Sequence, residues 1–201
     1  MVEDDGGWDR VTDWLLGDEE PTEPLLFAGR VLVAVLLVGW TWRFIAWPMR
    51  ADVIGASFLH LVNLPFHEAS HIFFAPFGEL MTSLGGSLGQ VLVPLICTIA
   101  FLTASYNPFG AAVCLWWTGE NFMDVAVYIN DARALDLVLL GGRTGAEVEG
   151  HDWENVLRIL GRLHEDHTIA WATHRLGAVL TIAALLWAAG ILGRQARRFG
   201  A

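Results

Sequence analysis

LLFAGRVLVAVLLVGWTWRFIAW, residues 25–47, runs for 23 positions with two charged side chains, Arg30 and Arg43. About 20 apolar residues in a helix cross the hydrocarbon core of a bilayer. Lipid offers no partners to backbone N–H and C=O groups, so such a run closes its hydrogen bonds internally as a helix. Four further runs of similar character follow at Val53 to Phe77, Leu84 to Tyr106, Phe109 to Ile129 and Ile169 to Leu192. They predict an all-α, polytopic helical membrane protein with about five transmembrane helices.

The composition agrees. Of 201 residues, 54% are hydrophobic and 17% charged, and the mean hydropathy is +0.46, a membrane-protein balance. The net charge of -10 belongs largely to an acidic tail, residues 1–24, which holds Glu3, Asp4, Asp5, Asp9, Asp13, Asp18, Glu19, Glu20 and Glu23. No nucleic-acid surface is implied. Within the tail, Trp8, Val11, Trp14 and Leu15 suit one short interfacial turn, in a composition equally suited to disorder. Residues 25–192 form the expected membrane domain, with an extramembrane loop at 131–167, and a basic tail occupies 193–201. All 12 basic residues are arginine. With five spans the ten that flank the membrane divide evenly, Arg43, Arg50, Arg194, Arg197 and Arg198 against Arg10, Arg133, Arg143, Arg158 and Arg162, and the basic end favours a carboxyl terminus inside and an amino terminus outside. The expected location is a cell membrane, multi-pass, of the bacterial inner-membrane kind. Cys97 and Cys114 fall within spans as small packing residues.

The second apolar run contains PFHEASHIFF, residues 65–74. On a helix His67 and His71 stand one turn apart on one face, where both imidazoles reach one ion. Glu68 completes HExxH, the arrangement in which two histidines hold zinc and the glutamate acts as base. An ionisable group inside a span costs roughly 2.5–3.5 kcal/mol on insertion scales and is functional by default. Pro65 is expected to distort the turn before His67, and Pro76 to end the helix.

A catalytic zinc takes a third protein ligand. The fourth run supplies Glu120 and Asp124, four apart on one face. With five spans the second and fourth run in the same direction, so Asp124 lies level with His71, which makes it the favoured ligand. Glu120 lies level with His67 and is the alternative. In the third run, Gly85, Gly86 and Gly89 permit close helix approach, and Gln90 is available for an interhelical hydrogen bond or for contact with the site or a substrate. The loop leads into a helix starting near Asp152, with Trp153, Val156, Leu157, Leu160 and Leu163 at helical spacing. It emerges on the edge nearest the ligands, so His151 and Asp152 come within reach of the site, His151 as a catalytic candidate.

A membrane-embedded HExxH, a glycine-rich span and then an intramembrane aspartate together resemble the site-2 protease family of intramembrane zinc metalloproteases, over about Phe66 to Asp131. The resemblance implies zinc held by His67, His71 and Asp124, with Glu68 as general base. It also implies a membrane-protein substrate cleaved in a transmembrane or juxtamembrane segment. Two alternatives stand beside it. One is a membrane di-iron oxidoreductase drawing on His60, His67, His71, His164, His167 and His174; the other is a non-catalytic zinc-binding membrane protein.

Overall fold

The computed structural model describes residues 6–17 and 23–197. Glu3, Asp4, Asp5, Asp18, Glu19, Glu20 and Arg198 lie outside the described residues, as do the side chains of Trp8, Asp9 and Arg10. The described residues are 76% helix, and no strand occurs among them. In order the helices are α1 (Gly6–Leu16), α2 (Pro24–Ala46), α3 (Phe58–Phe74), α4 (Glu79–Thr103), α5 (Pro108–Asn130), α6 (Asp152–Ile159) and α7 (Asp166–Ala196), with short 3-10 turns at Ala75–Phe77 and Leu163–Glu165.

Local chemistry sets the boundaries. Pro24 and Pro108 open α2 and α5, where a missing N–H costs nothing. Ser57 caps α3 by accepting from the Leu59 N–H, and Asn107 caps α5 by accepting from Gly110 N–H. Helix α3 continues through Pro65, whose turn therefore stays helical, and it ends in the 3-10 turn that contains Pro76. Gly78 then turns the chain into α4 at a φ of 95°, a conformation that favours glycine.

α5 is the centre of the bundle, with 15 of its 23 residues buried. Its partner is α7. A Cβ on Gly177 would stand 2.4 Å from the Gly119 carbonyl oxygen, and one on Gly119 would stand 2.8 Å from that of Gly177. The two backbones touch at these glycines, and α2 and α4 complete the packing. α2 lies outermost, and only 6% of its apolar window is buried.

Among the described residues three helical segments, Pro24–Ala46, Glu79–Thr103 and Leu163–Ala196, are long and apolar enough to cross a membrane. The expected five spans are thus borne out only as a helical chain with several apolar helices. α5 has the length, but Thr118, Glu120, Asn121 and Asp124 make it an interior helix, shielded by its neighbours. α3 is shorter than its apolar run, because residues 48–57 form turns and leave a helix of 17 residues. It also begins and ends at one end of the bundle. Met49 and Ile54, before it, pack with Ala132, Leu157 and Val127, and His71, near its end, contacts Thr82 at the start of α4. The long helices α2, α4, α5 and α7 are therefore four in number, and the chain returns to where it started.

The amino-terminal segment shows the same closure. Residues 6–16 are not a free tail: α1 lies on the far end of the bundle, where Trp14 donates to the Leu102 carbonyl at 3.2 Å and Trp187 donates to that of Leu15 at 2.7 Å. Arg194 pairs with Asp13 at 2.5 Å. α1 and the end of α7 thus share one end, in place of the opposite ends that five spans require. Arg43 and Arg50 accordingly join Arg133, Arg143, Arg158 and Arg162 at the other end, the end that carries the histidines.

Candidate metal centre

Three glycines on α4 bring it against α3. A Cβ at Gly85 would lie 2.7 Å from the Phe74 Cβ, and one at Gly89 only 1.7 Å from the Ser70 Oγ. Between them, a Cβ at Gly86 would lie 2.5 Å from His67 Nε2 and 2.6 Å from His71 Nε2. The glycine stripe therefore does more than allow close packing. It leaves open the space in front of both imidazoles.

Each ring has its Nδ1 anchored on the side away from Asp152. His71 Nδ1 lies 2.7 Å from the Thr82 carbonyl oxygen, an acceptor that requires the proton on Nδ1. His67 Nδ1 lies 3.0 Å from Gln90 Oε1. Both Nε2 atoms face Asp152 Oδ2, each at 3.3 Å, where a protonated Nε2 donates to the carboxylate and a deprotonated one offers its lone pair to an ion. Zinc bonds of about 2.0–2.1 Å at tetrahedral angles place neighbouring donor atoms about 3.3 Å apart. Among the described residues these three form the group that can hold a metal ion, with donor atoms all within 4.8 Å of one another. Two anchored imidazoles and a carboxylate are a donor set suited to zinc.

Asp152 is delivered by the loop and by α6. His151 is the N-cap of that helix, its Nδ1 accepting from Glu154 N–H at 3.2 Å, while Asp152 occupies the first turn. The Tyr128 hydroxyl accepts from Asp152 N–H at 3.0 Å and donates to Asp152 Oδ2 at 3.2 Å, so one phenol fixes both backbone and carboxylate. On the other side Trp153 donates to Ser87 Oγ at 3.0 Å, tying α6 to α4 over the site. Burial alone would raise the Asp152 carboxyl pKa. The facing imidazoles of His67 and His71 outweigh that and hold it below the usual carboxylate value, so the group is an anion.

The other candidates lie elsewhere. Asp124 is not beside His71. Its carboxylate receives Gln90 Nε2–H at 2.7 Å and Asn63 Nδ2–H at 3.2 Å, and faces His60 Nδ1 at 2.9 Å. Glu120 is fully buried and accepts from Asn63 at 2.9 Å. The first turns of α3, at His60 and Asn63, meet Asp124 and Glu120, while His67 and His71 face α4, so Asp124 comes level with His60 and not with His71. His151 is fully buried and stacks 4.4 Å from Tyr128. Its Nε2 faces Asp131 Oδ2 at 3.3 Å without hydrogen-bond alignment. It shapes the loop and does not itself face the histidine pair. Glu68 is half-buried, has no side-chain hydrogen bond among the described residues, and lies within electrostatic reach of His71 and Tyr128.

The remaining histidines are dispersed. His167 Nδ1 meets Asn130 Oδ1 at 2.8 Å, His174 Nε2 meets the Phe44 carbonyl oxygen at 3.3 Å, and His164 lies 3.8 Å from Glu165. Tyr128 and Thr82 carried no sequence signal, because a phenol and a backbone carbonyl become part of a site only through folding. No family model, no curated protein and no solved structure matches the chain.

Proposed function

We propose that the protein is a zinc-dependent endopeptidase of the membrane, multi-pass in a bacterial inner membrane, acting on transmembrane or juxtamembrane segments of other membrane proteins. One observation carries this reading: two imidazole Nε2 atoms each stand 3.3 Å from one carboxylate oxygen, beside a glutamate with no side-chain hydrogen bond among the described residues. Zinc held there supplies Lewis acidity, which makes water a nucleophile near neutral pH and polarises a carbonyl. The chain's own residues do the rest. Glu68 takes a proton as water oxygen bonds to the peptide carbon, and returns it to the amide nitrogen as the C–N bond breaks. Tyr128 and His151 keep Asp152 in place, while α6 covers the site and limits water. A membrane substrate fits the apolar exterior of α3, where Phe58, Leu61, Ile72 and Phe73 are exposed.

Glu68→Gln separates binding from chemistry, because the amide keeps the shape and loses the base. Purified Glu68→Gln protein is expected to hold one zinc per chain and to lose cleavage of a fluorogenic transmembrane peptide by several orders of magnitude. Cleavage at the wild-type rate would remove the assignment. So would wild-type protein that holds no zinc.

A further inference from the structure

His71 and His67 are anchored differently. The partner of His71 is a backbone carbonyl, which can only accept. The partner of His67 is the Gln90 side-chain amide, which could turn either end toward the ring. With its NH2 turned to Nδ1, the proton would sit on Nε2, pointing at Asp152, and His67 would have no lone pair for an ion. Something has to choose.

We propose that Asp124, acting through Gln90, is a positioning residue that sets the His67 tautomer for metal binding. A carboxylate only accepts, so its 2.7 Å contact with Gln90 Nε2 fixes the amide NH2 on that side. Gln90 Oε1 is thereby turned to His67 Nδ1 at 3.0 Å. Reversing the amide would set two oxygens against each other in a site where Gln90 and Asp124 are 5% and 6% exposed. Asp124 is located in the same manner. The Trp117 indole only donates, and its 2.8 Å bond to Asn63 Oδ1 turns the Asn63 NH2 toward Glu120 and Asp124. The two amides of this network, Asn63 and Gln90, are therefore each settled by a partner with one possible role. An amide does not relay protons, so Gln90 orients the ring without exchanging charge between Asp124 and the histidine. This role rests on the metal site proposed above, and it gives the buried acids of α5 a purpose outside the ligand set.

Four forms of the full chain test it: wild type, Gln90→Met, Asp124→Asn and the double variant. Zinc affinity is read by chelator competition, and His67 ring ¹⁵N shifts are read in metal-free protein. Gln90→Met removes the acceptor at similar size and is expected to weaken zinc 10- to 100-fold, the usual effect of losing a group that orients a ligating histidine. Asp124→Asn is expected to weaken it less, and the double variant to match Gln90→Met, because Asp124 has no other route to the ring. Gln90→Glu, sharing a proton with Asp124 and still offering His67 an oxygen, is expected to restore affinity to within a few fold of wild type. It also serves if Gln90→Met fails to fold. Wild-type zinc affinity in Gln90→Met, loss of zinc in Gln90→Glu equal to that in Gln90→Met, or additive losses in the double variant would overturn the proposal. If wild type binds no zinc the functional reading falls, and the metal-free shifts still decide this one. An Nδ1-protonated His67 that becomes mixed in Asp124→Asn supports it, and an unchanged tautomer refutes it.

Discussion

Gly86→Ala is the smallest change that tests the centre. A methyl at this position would stand 2.5 Å from His67 Nε2, 2.6 Å from His71 Nε2 and 2.7 Å from His67 Cδ2, where ordinary contact begins at 3.4 Å. The rings would have to retreat by about 0.8 Å, several times the roughly 0.2 Å tolerance of a metal–ligand distance. Neither helix can yield, because Ser70 and Phe74 of α3 already press on α4 at Gly89 and Gly85. Zinc affinity is expected to fall at least about 100-fold, or about 2.7 kcal/mol. The fold should suffer less. Alanine in a helix gains about 1 kcal/mol over glycine, against about 1–3 kcal/mol for overpacking, leaving a net loss of at most about 2 kcal/mol. Gly39→Ala is the control, since a Cβ there meets nothing within 4 Å, and it should leave zinc binding unchanged. Metal per chain, competition with a chromogenic chelator and thermal unfolding of the metal-free protein supply the readouts. Wild-type zinc affinity in folded Gly86→Ala would refute the placement of the ion between these imidazoles.

The choice of third ligand is tested by exchanging carboxylates for amides: Asp152→Asn should abolish stoichiometric zinc, whereas Asp124→Asn should weaken binding by about tenfold or less, and the reverse order measured by metal analysis would return the ligand role to Asp124. At the α5–α7 crossing, Gly177→Ala sets a methyl 2.4 Å from the Gly119 carbonyl oxygen, so unfolding in detergent should show a loss of about 1–3 kcal/mol, and an unchanged midpoint would mean that the helices are not in contact there.

The helical class and the pair His67 and His71 were legible because both rest on local periodicity, which a sequence displays directly. The number of crossings was not. Val53 to Phe77 is apolar enough to resemble a span, yet its first residues make turns before Ser57 caps the helix, and apolarity alone does not say whether a helix crosses or returns. Because α3 begins and ends at one end of the bundle, His60 and Asn63 come level with Asp124, which stands on the far side of Gln90 from His67. Asp152 was legible only as a residue able to reach the site. Its place beside the two imidazoles depends on Tyr128, His151 and the path of a long loop, and none of these has a period to read. The twin roles of Gly86, close packing and clearance for two rings, were half visible as small residues on one face.

The positions of the donors along the chain imply an order of assembly. His67 is 23 residues from Gln90, and His71 is 11 from Thr82, so the α3–α4 hairpin brings both imidazoles into place through contacts of short range. Asp152 is 85 residues from His67, and it docks only after α5 and the whole loop have been laid down. Closing short loops costs less entropy and comes earlier than closing long ones. The two imidazoles are accordingly placed first, and the carboxylate arrives as the closing act. If the centre holds zinc as proposed, tight retention of the ion would mark the moment at which the last segment has reached its seat, and an unfinished chain would lack a competent centre.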